Sequence, residues 1–317
     1  MQCWCGNSKL LPFGEGYYRC AHCETLVAGN RQIGFDPRVT RESADLYGSR
    51  YWFVHQTTDL KCPDIVTRSR SDLSERCIHW LRSLLEFKLP PAKILEIGCA
   101  HGGFVAMLRQ CGFDAVGLEL SPTIVRLATE TFDIPVLSGP IEDQTIAAHS
   151  LDAIVMMDVL EHLSDPQGTI SRSIELLKPD GILLVQTPAY PEKTSLPQLH
   201  QRRHKFPEML DKNEHPLLFS MSSARELFRR AGAPFLEFIP AIFDFYDMSF
   251  VASASPLRRY DPQTQSAALA RTVSGRFIEA LLDLDARRLS LLAKYRQLRG
   301  ARPDNTSRLS LKSADVA

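Results

Sequence analysis

Residues 93–119 read KILEIGCAHGGFVAMLRQCGFDAVGLE, and their pattern decides the fold. Lys93-Ile94-Leu95-Glu96-Ile97 is a short apolar run with one acid near its end, the signature of a buried parallel strand. Gly98, Gly102 and Gly103 mark a tight turn, and Phe104 to Cys111 carries apolar residues at helical spacing. Gly112 stands where a C′ glycine ends a helix. Asp114 to Leu118 predicts a second strand, which closes on Glu119, about 20 residues past the first glycine. Such a unit binds a nucleoside, because glycines let backbone approach the ligand and the acid accepts from ribose hydroxyls. A nicotinamide dinucleotide needs Gly-x-Gly-x-x-Gly so that its pyrophosphate can sit on the helix N-terminus. Gly98-Cys99-Ala100-His101-Gly102-Gly103 does not have that spacing, and the Glu96 carboxylate would repel a pyrophosphate. It suits a ligand with an ammonium group instead.

Downstream, Ser121-Pro122 is an N-cap with proline at N1, predicting a helix to about Phe132. Val136-Leu137 is a short third strand, and Ser138 to Asp143 a turn bearing Glu142 and Asp143. Leu151 to Met157 is an apolar run broken only by Asp152, hence a central strand, and Asp158-Val159-Leu160-Glu161-His162-Leu163 follows it directly. Asp165-Pro166 starts another helix, Lys178 to Gly181 predicts a turn, and Ile182 to Gln186 a further strand. Ser222-Ser223 is read as the cap of a helix through Ala231, ended by Gly232. Phe235–Ile239 and Tyr246–Val251 are two strands whose short connection makes them antiparallel. Upstream, Ser71 to Glu75 has a capping-box pattern opening a helix that Pro90-Pro91 stops. Strands alternate with helices, so residues 71–255 predict an α/β domain with a doubly wound sheet, mostly parallel with an antiparallel last strand.

Residues 1–30 are a different unit. Cys3-Trp4-Cys5 and Cys20-Ala21-His22-Cys23 are two close pairs separated by a hairpin-length segment, the pattern of a zinc ribbon with four thiolates around one structural Zn²⁺. Cys-x-Cys is tighter than the usual spacer, which leaves a degenerate ribbon as the other reading. Residues 31–70 are a polar linker with one aromatic cluster, Tyr47 to Phe53, which either packs the linker down or forms a flap over the substrate site. Residues 256–300 are a helical extension. Phe277, Leu281, Leu284, Leu291, Tyr295 and Leu298 follow steps of four and three, leaving docking on the main domain and homodimerisation both open. Residues 301–317 are polar and read as a disordered tail.

Of 317 residues, 44% are hydrophobic, and Lys+Arg equals Asp+Glu at 37, so no bulk charge points to nucleic acid. No apolar run approaches the ~18–20 residues of a membrane span. Nor does the N-terminus carry a charged-then-apolar leader, so a cytoplasmic protein is the expectation. Clustered cysteines then point to metal rather than disulfides.

Taken together these residues resemble the class I S-adenosylmethionine-dependent methyltransferases, with their Rossmann-like fold. Glu96-Ile97-Gly98-Cys99-Ala100-His101-Gly102 is similar to the family's first motif, and Leu118-Glu119 to the second, whose acid binds both ribose hydroxyls. Ile141-Glu142-Asp143 resembles the segment that cups adenine, although Pro140 stands where many relatives have an acid. Leu151–Val155 with Asp158–His162, and Leu176–Gly181, are similar to the motifs around the fourth and fifth strands. The resemblance implies an enzyme that binds S-adenosylmethionine through Glu96, Gly98, Cys99, Ala100, Gly102, Glu119, Leu120, Ile141, Glu142 and Asp158. Ala100 replaces a glycine, which is tolerable if the position does not need positive φ. The zinc ribbon, the Tyr-Trp segment and Glu214-His215 resemble bacterial methyltransferases acting on sugars or glycans, so a small-molecule or glycan acceptor, methylated on oxygen, is expected. Histidine suits a general base for a hydroxyl acceptor at neutral pH, which makes His162 and His215 the catalytic candidates. A non-catalytic scaffold that keeps the fold for assembly contacts is the competing reading.

Overall fold

In a computed structural model, which describes residues 1–32 and 34–298, the chain forms two sheets. The strands are β1 (Leu10–Gly14), β2 (Tyr17–Cys20), β3 (Leu26–Ala28), β4 (Lys93–Ile97), β5 (Asp114–Glu119), β6 (Val136–Ser138), β7 (Leu151–Met157), β8 (Leu177–Pro188), β9 (Leu217–Leu218), β10 (Phe235–Ile239) and β11 (Asp247–Ser253). The large sheet has seven strands in the order β10-β11-β8-β7-β4-β5-β6. Its pairs are parallel from β8 to β6, while β11 runs antiparallel to both β8 and β10. This is the doubly wound sheet expected from the sequence, with its last strand reversed.

Period-two alternation sends successive residues of β4 to opposite faces. Leu95 and Ile97 join Ile154, Met156, Leu183 and Val185 in one core layer, which includes Leu227 and Phe228 of helix Met221–Ala231. Ile94 joins Val155 and Leu184 in the other, with Trp80, Leu81, Leu84, Phe104 and Leu108. Covered on both faces, β4 is apolar after its exposed first residue Lys93 apart from Glu96, which is buried on the second face.

Several local expectations need correction. The helix read as opening at Ser71 begins at Ile65, where Asp64 caps it by accepting from the backbone N–H groups of Val66 and Thr67 at 3.0 and 2.9 Å. It continues through a wider turn at Leu73–Cys77 to Leu85. Asp72 is thus inside the helix, free to bond His101 from another element. The cap of Met221–Ala231 is Ser220 rather than Ser222-Ser223; Ser223 is the third helical residue and returns the bond to the Ser220 N–H. The turn expected at Lys178–Gly181 is an irregularity within β8, since Leu177 pairs with Leu151 but Ile182 with Ala153.

The smaller sheet runs β1-β2-β3-β9 and is antiparallel. Its last strand comes from the far side of the large sheet in sequence, so the N-terminal unit is hydrogen-bonded into the body of the protein through Leu26–Leu218 and Val27–Leu217. The C-terminal extension is two helices, Pro262–Leu269 and Val273–Leu298. The longer one docks through Ile278, Leu282 and the Arg82–Asp285 ion pair at 2.8 Å. Its four-and-three stripe faces out: Phe277 is 70% exposed, Leu284 60% and Leu291 66%. The tail at 301–317 lies outside the described residues. Among those described, no helix is long and apolar enough to cross a membrane.

The displaced helix start is measurable. Asp64→Ala removes a cap and should cost roughly 1 kcal/mol in urea unfolding, whereas Ser71→Ala, at the position first read as the cap, should change stability by less than about 0.5 kcal/mol.

Candidate active site

The carboxyl ends of β4, β5 and β7 open into a cavity of about 780 Å³. Its floor is the glycine turn. Gly98 has φ of +72°, and a Cβ there would lie 2.6 Å from Val159 Cγ2, so glycine is required on both counts. Its N–H and that of Cys99 both donate to Leu118 O, at 2.8 and 3.1 Å, which ties the tip of β4 to β5. Ala100 has φ of +46°, so the condition under which alanine would sit easily is not met, and the residue carries strain. Its N–H donates to Glu119 Oε2 at 3.1 Å.

The Glu119 carboxylate also accepts from Leu120 N at 2.9 Å and Ser121 N at 3.3 Å. Burial nevertheless pushes its carboxyl up to about 7, the backbone donors offsetting only part of the desolvation. Glu96 is deeper. Burial drives its carboxyl well above the usual range, and among the described residues Oε2 has no hydrogen-bond partner although Glu96 lines the cavity. A buried unpaired carboxylate oxygen is costly, and a ligand ammonium group would satisfy it.

Gly139, Pro140, Ile141 and Glu142 form a side wall. Neither acid of this turn is unengaged: Glu142 accepts from Thr169 Oγ1 at 2.7 Å, and Asp143 takes both prongs of Arg38 at 2.7 Å. Arg38 belongs to the segment that crosses the cavity mouth. Glu42 anchors this segment by accepting from Thr123 N at 2.8 Å, at the N-terminus of helix Pro122–Phe132, and from Ser121 Oγ. Phe35, Pro37, Tyr47, Tyr51 and Trp52 line the cavity, so the aromatic cluster supplies walls of the site.

At the other end, Asp158 has φ of +57° and is held by Arg76 at 3.0 Å and Gln186 at 3.1 Å. His162 Nδ1 is 2.8 Å from Glu214 O and 2.9 Å from Tyr47 Oη. A carbonyl can only accept, so Nδ1 carries the proton and Nε2 the lone pair. His215 repeats this arrangement, with Nδ1 donating to Met209 O at 2.7 Å. The two rings lie 4.8 Å apart, and burial holds both below the usual histidine range. Glu214 is fixed by His55 and by Tyr51 Oη at 3.4 Å. Burial and the Asp158 charge raise Glu161 to about 7 and Asp247 to about 9.

Of the residues singled out from sequence, Glu96, Gly98, Cys99, Ala100, Glu119, Leu120, Ile141, Glu142, Asp158 and His162 line one cavity. Gly102 is outside that lining and starts helix Gly103–Gln110, where a Cβ would press on Ile134. His215 is also outside that lining and sits behind His162. Sequence reasoning missed Arg68, Asp72, Arg76 and Trp80, which line the cavity from one helix. Their spacing of four was the available signal. His101 is also structural here, accepting from Gly103 N and donating Nε2–H to Asp72.

At the N-terminus the Sγ atoms of Cys3, Cys5, Cys20 and Cys23 lie within 4.8 Å of one another, with Cys3–Cys23 at 3.5 Å and Cys5–Cys20 at 3.7 Å. These are too long for disulfides and close to the ~3.8 Å edge of a tetrahedron with Zn–S bonds of about 2.3 Å. His22 turns away to Arg230.

Comparison with known proteins adds the following. A family described as a methyltransferase domain matches residues 69–236, just over half of the chain. A ubiquinone biosynthesis O-methyltransferase of Xanthomonas campestris is 31% identical over 107 residues, covering 31% of this chain and 44% of that protein. Its counterpart in Cereibacter sphaeroides is 30% identical over 100 residues, covering 30% and 40%. The chain therefore spans less than half the length of these curated relatives. Among solved structures, phosphoethanolamine N-methyltransferase 2 of Haemonchus contortus, in complex with S-adenosyl-L-methionine, is 14% identical with a TM-score of 0.47, over 62% of this chain and 60% of that one. With its sheet order, glycine turn and matched domain, the chain belongs to the methyltransferase domain family, the class I S-adenosylmethionine-dependent methyltransferases.

Proposed function

We propose that this chain is an S-adenosylmethionine-dependent O-methyltransferase acting on a small hydroxyl-bearing acceptor such as a sugar or glycan, with a structural zinc ion in its N-terminal unit. The observation that carries the cofactor reading is Glu96 Oε2, an unpartnered buried oxygen in the same cavity as the Glu119 carboxylate. A ligand with a cationic amino-acid end and a ribose satisfies both. When bound, S-adenosylmethionine supplies a methyl group on a sulfonium, which a nucleophile displaces in line.

The residues of this chain then position and desolvate. Glu119 receives the ribose hydroxyls, Gly98 and Ala100 let backbone approach, and Ile141 with Glu142 borders the base. Asp158 and Glu96 face the amino-acid end. His162 meets the acceptor's hydroxyl with His215 packed behind it, and the His162 Nε2 lone pair takes the proton as the oxygen–carbon bond forms. Oxygen as the target draws support from the relatives' names and from these two neutral imidazoles. The sugar or glycan acceptor rests on the sequence resemblance. Cys3, Cys5, Cys20 and Cys23 hold zinc with four thiolates, which leaves no open position for catalysis. A homodimer through the exposed stripe of helix Val273–Leu298 remains part of this proposal.

Calorimetric titration tests the reading. The chain should bind S-adenosylmethionine, and Glu119→Ala should weaken binding by roughly tenfold or more, the ~1.5–3 kcal/mol of charge-assisted hydrogen bonds. Absence of binding, or binding indifferent to that change, favours the non-catalytic scaffold. Glu119 accepts from ribose only as a carboxylate, and its pKa stands near 7. Below that value the competent fraction falls about tenfold per pH unit, so affinity should be highest above pH 8 and weaken as pH drops through 7. Glu119→Gln should flatten this dependence. Metal analysis of the purified chain should find about one zinc per chain; less than roughly half an equivalent would count against the thiolate site.

A further inference from the structure

Glu161, His162 and His215 each place one ligand-type atom within 4.8 Å of the other two. Their orientation goes beyond proximity. Both histidines donate Nδ1–H to a backbone carbonyl, His162 to Glu214 O and His215 to Met209 O, so both offer Nε2 lone pairs. Among the described residues no hydrogen bond reaches either Nε2. Glu161 is buried, and one carboxylate oxygen is fixed by Thr187 Oγ1 at 2.8 Å, which leaves the other available. Metal-binding histidines almost always have their second nitrogen bonded to a carbonyl or carboxylate, which fixes tautomer and ring orientation. Here that outer layer is complete for all three residues.

The elements that supply it are rigid. Glu161 and His162 lie in the short segment after β7; His162 lines the cavity, and Glu161 and His215 stand just outside its lining. His215 precedes β9, and Tyr17 Oη of the N-terminal sheet donates to its carbonyl at 2.8 Å. Asp158, on the same loop, adds negative charge beside Glu161 and is partly offset by Arg76.

We propose that Glu161, His162 and His215 form a two-histidine, one-carboxylate site for a divalent first-row cation, which holds the acceptor's oxygen. Two imidazoles and a carboxylate on one side of an ion leave open positions, and nitrogen and oxygen donors suit Mn²⁺, Fe²⁺, Co²⁺ or Zn²⁺. An acceptor with two adjacent oxygens would fill two of those positions. This deepens the methyltransferase proposal and rests on it for the acceptor; in the loaded chain the two imidazoles are ligands rather than proton acceptors. Cation binding itself stands apart from that reading.

The probe is Mn²⁺ added to the full chain already loaded with zinc, because manganese does not compete for a thiolate site. The electron paramagnetic signal of free Mn²⁺ should fall as one equivalent binds, and pulsed spectra of the bound ion should show coupling to two imidazole nitrogens. Glu161→Gln and His215→Gln should each weaken binding by roughly tenfold or more, while affinity for S-adenosylmethionine, a check on folding, stays within about twofold. No binding below millimolar Mn²⁺, no nitrogen coupling in the unaltered chain, or unchanged binding in both variants would overturn the site. Manganese binding without S-adenosylmethionine binding would uphold the cation site and overturn the methyltransferase reading; the reverse result would do the opposite.

Discussion

The tips of β4 and β5 are held together by a few backbone donors converging on one carbonyl and one carboxylate. Gly98 N and Cys99 N point at Leu118 O, and Ala100 N, Leu120 N and Ser121 N point at Glu119. This clamp turns the chain sharply at the end of a central strand and leaves a hollow above it. It is also why positive φ persists at Ala100: the strain there, of order 1–3 kcal/mol, is offset by a hydrogen bond to a buried carboxylate. Without the clamp there would be neither the hollow nor the fixed acid on which the proposed cofactor site rests.

The rest of the cavity is built onto that clamp from distant parts of the chain. Glu42 reaches the N-terminus of helix Pro122–Phe132 immediately after Glu119, so the covering segment is fastened to the same corner. The N-terminal unit acts from the opposite side. Pairing of β3 with β9, and the Tyr17 bond to His215 O, fix the backbone that presents His215 behind His162. A small N-terminal unit thereby shapes the surroundings of His162 and His215, well away from its own four cysteines.

Charge is distributed unevenly across the site. Glu96, Glu119, Glu161 and Asp247 are all buried with raised carboxyl pKa, while Arg38, Arg68 and Arg76 line the cavity, Arg76 beside Asp158. Buried carboxylates in such number are costly without partners. The two of these acids that line the cavity, Glu96 and Glu119, favour a cationic or donor-rich ligand at the glycine turn.

The sequence by itself determined the elements whose signal is local. Gly98 and Glu119 were legible because strand, glycine turn and acid follow in one short stretch; β7 was legible because its apolar run is broken only by Asp152. The cysteine pairs likewise announced four converging sulfurs. Only the tertiary structure decided matters that depend on distant partners. Asp72 looked like a capping residue because Ser71 to Glu75 has that pattern, yet its carboxylate is taken by His101 and the helix starts at Ile65. Ala100 stood out as a departure whose cost depended on its φ, and nothing local shows that the clamp on Glu119 demands a positive one. The apolar stripe of the last helix left docking and dimerisation both open, and packing on Ile278 and Leu282 turns Phe277 and Leu284 outward. His215 could be named as a candidate, but its tautomer and its place against His162 come from Met209, Glu214 and Tyr17. Short-range patterns record what backbone and solvent require of a residue; which side chains meet across the fold is set by packing, and no local pattern contains it.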